Sequence, residues 1–120
     1  MLKLVYFKMR ALAEAPQLLL EYSDLEYEYL MSWDHFDDVW SKVKPMIPFQ
    51  QLPMMEVGDG TQICQSIAIL QYIENRSGLS ISDPIKAAEA MAILQSAQEL
   101  FAPLNPCLLY TSPSPRDQVV

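Results

Sequence analysis

The sequence predicts an α/β fold in the order β-α-β-α-β-β-α, followed by the opening helix of an all-helical region. Three observations predict it. Two short stretches, Leu2–Phe7 and Tyr27–Met31, alternate in polarity, and a run with helical apolar spacing separates them. Two β-prone segments, Met54–Val57 and Thr61–Cys64, flank Gly58-Asp59-Gly60, whose glycines are expected to supply the positive φ that a tight turn needs. Beyond Asp83-Pro84 the chain changes character, to the alanine-rich run IKAAEAMAILQSAQELF. Strand-helix-strand crossovers imply parallel pairing, and the hairpin adds an antiparallel edge.

Each element has its own local reason. Leu2-Lys3-Leu4-Val5-Tyr6-Phe7 is the first strand. Leu12, Ala15, Leu18, Leu19 and Tyr22 fall on one helical face. Pro16 is tolerated only in a first turn, where its missing N–H is unpaired anyway, so this helix starts no earlier than about Ala13. Tyr27–Met31 is the second strand. Asp34 to about Val43 reads as one acidic-headed helix with Phe36, Val39 and Trp40 on one side, closed off by Pro45 and Pro48. Leu52 precedes Pro53 and is therefore pushed to extended geometry, with its N–H and C=O free to point outward. An X-Pro bond is also where a cis peptide is cheapest. After the hairpin, Ser66 is expected to N-cap a helix carrying Ile67, Ile69, Leu70 and Ile73, which ends near Gly78. Asp83 caps the last helix, with Pro84 at its first position, and the run extends to about Phe101.

The expected organisation is a first domain over 1–78, a linker and the start of a helical domain over 79–107, and a tail over 108–120. That tail, LLYTSPSPRDQVV, has no helical or strand period and contains a low-complexity Ser-Pro repeat, and disorder is expected there. It also resembles translated linker or adapter sequence, so the chain is expected to be truncated and to depart from the natural protein near Cys107.

Composition narrows the function. The chain has 120 residues, 51% of them hydrophobic and 19% charged, which is enough for a real core. No run approaches the roughly 20 apolar residues of a membrane span, and MLKLVYF lacks the features of a signal peptide, so no membrane partner and a cytoplasmic location are expected. A net charge of −7 with only eight Lys and Arg argues against nucleic acid, whose phosphates need a basic stripe. Cys64 and Cys107 form no CxxC pair and read as free thiols. His35 among Asp34, Asp37 and Asp38 reads as a solvated acidic helix start, with nothing spaced as a metal site.

The segment Pro48–Ser66, PFQQLPMMEVGDGTQICQS, has the makings of a peptide-holding edge. An extended ligand could pair with the Leu52 backbone, and the helix N-terminus at Gln65-Ser66 suits a carboxylate. With the strand end Tyr6-Phe7-Lys8-Met9-Arg10, the spacing Trp40-x-x-x-Lys44, Gln51-Leu52-Pro53 and Gln65-Ser66, the chain resembles the cytosolic glutathione S-transferases of the tyrosine type, nearest the sigma, mu and pi group. The likeness covers about Leu2 to Phe101.

The resemblance implies a thioredoxin-like glutathione-binding domain followed by the first helix of an all-α domain. It implies glutathione as co-substrate, a small electrophile as second substrate, and a homodimer for the full-length protein. By the same resemblance Tyr6 is the catalytic residue, its phenol donating to the glutathione sulfur and favouring thiolate. A thiol titrates near about 8.5, and lowering that by about two units takes roughly 3 kcal/mol. One charge-assisted bond supplies about half of it, so the start of the first helix would have to contribute as well. Trp40 and Lys44 match positions that meet the glycine carboxylate, Leu52 and Pro53 those facing the cysteinyl part, and Gln65 and Ser66 those holding the γ-glutamyl carboxylate. Gln51 stands where sigma-like relatives often carry a lysine.

Two departures stand out. Ala11 and Leu12 replace a glycine and a second basic residue usual in the family, and most of the helical domain is missing. Glu99 is a loose match to an acidic residue that in relatives reaches the partner subunit's glutathione. The expected function is therefore a detoxifying glutathione transferase, conjugating or isomerising small electrophiles. The alternative is a non-catalytic binding or structural relative. A thioredoxin-type reductase is disfavoured because no CxxC precedes the first helix.

Overall fold

A computed structural model describes residues 1–101. It contains a four-stranded sheet in the order β2-β1-β3-β4, formed by β1 (Leu2–Tyr6), β2 (Tyr27–Met31), β3 (Met54–Glu56) and β4 (Gln62–Cys64). β1 runs parallel to β2, with Leu4 opposite Tyr29, and antiparallel to β3, with Leu4 opposite Met55. β3 and β4 form the antiparallel hairpin. This is the thioredoxin-like mixed sheet. The interior strand β1 is buried at every position but Lys3, as a strand paired on both edges requires.

The helices are α1 (Glu14–Tyr22), α2 (Ser32–Phe36), α3 (Trp40–Val43), α4 (Ser66–Ser77) and α5 (Pro84–Phe101). α1 packs against α4, α4 against β3 and β4, and α2 against β1 and β2. Leu4, Val5, Leu20, Val43, Met54, Met55, Ile69 and Ile73 form the centre of the resulting core. Pro16 sits in the first turn of α1 and is buried there, as its position demanded. α4 closes on Gly78 at φ 77°, with the Leu79 N–H returning to the Glu74 carbonyl at 2.9 Å. α5 begins at Pro84 behind the Asp83 cap: the Lys86 N–H donates to Asp83 Oδ2 at 2.9 Å and the Ala87 N–H to the Asp83 carbonyl at 2.9 Å.

Four expectations need correction. The single helix over Asp34–Val43 is two short ones, because Asp37 takes the left-handed conformation at φ 55° and ends α2. Asp38 then accepts the Val39 N–H at 2.8 Å, the local competition with helix that aspartates offer. Pro45 and Pro48 lie in two 3₁₀ turns that follow, Lys44–Met46 and Pro48–Gln50. In the hairpin only Gly60 has positive φ, 90°, and the turn is held instead by Asp59 Oδ1, which accepts from Thr61 N–H at 3.0 Å and Thr61 Oγ1 at 2.6 Å. The α4 cap is Gln65 and not Ser66: the Gln65 carbonyl accepts the Ile69 N–H at 3.0 Å, so the helix begins one residue early and Ser66 is its first residue. His35 is also not part of a solvated acidic face. Its Nε2 lies 3.3 Å from Glu56 Oε2, linking α2 to β3.

Among the described residues there is no helix long and apolar enough to cross a membrane and no His, Cys, Asp or Glu group able to hold a metal. The tail expected over 108–120 and the Cys107 thiol lie outside the described residues.

Candidate active site

Tyr6 ends β1 and is buried. The chain then turns through Phe7–Ala13 before α1, and this turn brings the Leu12 N–H to the Tyr6 phenol oxygen at 3.2 Å. Burial pushes the phenol up to about 12, the Leu12 bond offsets part of that, and the nearby Tyr29 adds slightly to it. The consequence is chemical: at neutral pH Tyr6 keeps its proton, and with its oxygen already accepting from Leu12, its O–H is free to donate. A neutral phenol polarised by a backbone N–H suits stabilising an anion beside it, and does not suit acting as a base.

A chain of aromatic contacts runs from Tyr6 to Trp40. The Tyr6 and Phe7 rings are 5.4 Å apart, and Phe7 meets Trp40 edge-on at 5.2 Å. Trp40 opens α3 and is buried, yet its indole Nε1 has no hydrogen-bond partner among the described residues. A buried indole N–H without an acceptor is costly unless a ligand supplies one. Lys44 follows one turn later, half-buried, with no side-chain hydrogen bond or ion pair among the described residues.

The loop that joins α3 to the hairpin is irregular. Phe49 and Gln50 both have positive φ, 61° and 51°, and so does Gln65, at 80°; backbone of this kind concentrates at functional sites. The Leu52–Pro53 bond is cis, both side chains are buried, and Leu52 takes part in none of the loop's backbone–backbone hydrogen bonds among the described residues. Gln51 and Gln65 are brought together, the Gln65 Nε2 donating to Gln51 Oε1 at 3.4 Å. Ser66 is buried at the start of α4, and its hydroxyl accepts from Gln98 Nε2 of α5 at 3.0 Å. Leu12 and Ser66 line the same cleft of about 290 Å³ between the β1–α1 turn, α4 and α5. Tyr6 and Gln65 are not among the residues that line it.

Two groups that could compete with Tyr6 do not. Arg10, the basic residue of the turn, is exposed and held by Glu14 at 2.9 Å. Burial pushes the Cys64 thiol up, away from the thiolate a reactive cysteine needs.

Three participants escaped sequence reasoning. The Leu12 contact is made by backbone and has no side-chain signal. Phe7, which touches both Tyr6 and Trp40, reads simply as the end of a strand. Gln98 had a signal: it is the polar member of a stripe, Leu94, Gln98 and Phe101, at helical spacing.

Residues 2–75 match the family model of the glutathione S-transferase N-terminal domain. The chain is 39% identical over 99 residues to hematopoietic prostaglandin D synthase of Gallus gallus, covering 81% of this chain and 47% of that protein. A glutathione S-transferase structure from Ascaris lumbricoides superposes with a TM-score of 0.75 at 32% identity, covering 91% of this chain and 52% of that one. A glutathione S-transferase from Necator americanus, described as monomeric, superposes at 0.70 with 31% identity, covering 88% and 49%. The chain belongs to the glutathione S-transferase family. It spans about half the length of the curated relatives it matches.

Proposed function

We propose that this chain is the glutathione-binding part of a cytoplasmic glutathione transferase that activates the glutathione thiol for attack on small electrophiles. The observation that carries the reading is the Tyr6 phenol, held neutral by burial and polarised by the Leu12 N–H at 3.2 Å.

In this reading Tyr6 donates its hydrogen bond to the sulfur and lowers the cost of ionising it. The Leu12 N–H, at the approach to α1, shares the charge drawn onto the phenol oxygen, which is the helix-start contribution the energetics call for. Trp40 Nε1 and Lys44 are two donors without a side-chain partner among the described residues, one neutral and one cationic, suited to the glycine carboxylate. Leu52 presents main-chain groups to the cysteinyl part beside the cis Pro53. Gln51, Gln65 and Ser66 gather at the start of α4, where free N–H groups and the positive dipole end favour the γ-glutamyl carboxylate. The chain's part in the reaction is to orient the peptide and hold a proton on Tyr6 Oη; the thiolate is then the nucleophile.

The domain division follows the same reading: 1–78 binds glutathione, and 79–107 starts the helical domain that completes the electrophile site and, in a homodimer, part of the subunit interface. A second reading has one observation in its favour. Leu12 offers no cation and Arg10 is tied to Glu14, so the site has fewer positive charges than a strong thiol activator would want, which suits a non-catalytic binding relative.

Retention on immobilised glutathione and conjugation assays with the Tyr6→Phe variant test the proposal. Wild-type protein should be retained, and Tyr6→Phe should bind as well but conjugate about tenfold more slowly or worse, the effect of roughly 1.4 kcal/mol on the barrier. Wild-type protein that is retained on glutathione but does not accelerate conjugation would favour the second reading, and equal accelerated rates for the two proteins would overturn the role given to Tyr6.

A further inference from the structure

Ser66 has a partner that the glutathione reading above does not use. Gln98 lies on α5, thirty-two residues further along, and its Nε2 donates to Ser66 Oγ at 3.0 Å. An amide nitrogen can only donate, so Ser66 must accept in that bond, and its own hydrogen is left to point elsewhere. Ser66 is 6% exposed, so water competes little for that hydrogen. As the first residue of α4, its hydroxyl stands beside the free N–H groups of the helix start. A serine locked as an acceptor on one side is a committed donor on the other. A carboxylate at the α4 N-terminus requires that orientation, because a carboxylate only accepts.

We propose that Gln98 is a positioning residue that fixes the Ser66 hydroxyl as a donor to the α-carboxylate of the γ-glutamyl group. This inference rests on the glutathione reading and adds to it a contribution from α5, outside the part of the chain matched by the N-terminal-domain family. α5 buries none of its residues, so this bond is a specific tie between α5 and the peptide site among the described residues.

The test is the affinity of the full chain for two probes, S-alkyl glutathione and the same molecule lacking the γ-glutamyl α-carboxylate. Alkylation removes the thiol from the comparison, so Tyr6 chemistry does not enter. Gln98→Leu should weaken S-alkyl glutathione about tenfold, the worth of one charge-assisted hydrogen bond. Gln98→Glu should weaken it further, because an acceptor at this position turns the Ser66 hydroxyl around and places a negative charge near the carboxylate. The probe without the carboxylate should bind wild type and both variants alike. A merely structural role would weaken both probes in proportion, and that result overturns the proposal, as does unchanged affinity for S-alkyl glutathione in both variants. Wild-type protein that binds neither probe would overturn the glutathione reading itself, and the inference with it.

Discussion

α4 and α5 both carry many apolar side chains, yet the structure treats them differently. α4 is twelve residues long and fully buries Ile69 and Ile73 against α1 and the β3–β4 hairpin. α5 is eighteen residues long and richer in apolar side chains, yet none is buried, and Ile93 and Leu100 are 74% and 77% exposed. Composition therefore does not decide burial; the presence of a surface to pack against does. The groove between α1, α4 and α5, lined by Ala15, Leu18, Leu19, Tyr22, Leu70 and Leu94, is the matching open surface. In the proposed two-domain reading, later helices of the helical domain cover it.

The comparison can be broken first by truncating one apolar side chain in each helix. Ile69→Ala should cost about 2–5 kcal/mol of stability, since it leaves a cavity in a packed core, whereas Ile93→Ala should stay within about 0.5 kcal/mol. Denaturant unfolding of the two variants measures this, and equal losses would show that α5 is packed after all.

Alkaline pH gives the next largest effect and acts on the core side alone. The Tyr6 phenol is at about 12 in the fold against 10.0 for an unperturbed tyrosine. Above about 10 the unfolded chain releases this proton while the fold still holds it, so the unfolded state binds fewer protons and stability falls as pH rises toward 12. Below that window both states are protonated and the contribution is complete. Burial also raises Tyr27 and Tyr29, so Tyr6→Phe should flatten the decline without removing it. An unchanged slope in urea titrations across this range would contradict the buried placement of Tyr6.

The smallest effect belongs to the α5 cap. Asp83→Ala should cost α5 about 1 kcal/mol, seen as faster amide exchange at Lys86, with the midpoint of global unfolding nearly unmoved. A fall in the global midpoint would mean that α5 and the sheet unfold as one unit.

What could be read in the sequence follows the same division between local and tertiary causes. The strand β1, the delayed start of α1 at Pro16, the cis-prone Leu52-Pro53 and the Asp83-Pro84 start of α5 each depend on a few adjacent residues, and each was legible. The order Tyr6, Trp40, Lys44, Leu52-Pro53, Gln65-Ser66 carries the family likeness, which depends on spacing, and from it the proposed site was drawn. The break at Asp37 was not, since a left-handed aspartate leaves the apolar period of its neighbours intact. The shift of the α4 cap from Ser66 to Gln65 was not legible either, since it comes with the positive φ of Gln65, a conformation its side chain does not signal. Likewise, the Leu12 bond to Tyr6 needs the turn to fold before it exists.

The central claim is that a neutral, buried phenol favours the thiolate of bound glutathione. The most direct measurement is the pKa of that thiol in the complex, followed by thiolate absorbance against pH, for wild type and Tyr6→Phe. The account predicts a value about two units below the roughly 8.5 of a free thiol in the wild type, returning toward 8.5 in the variant. A bound thiol that titrates as it does in water, with or without the Tyr6 hydroxyl, would contradict it.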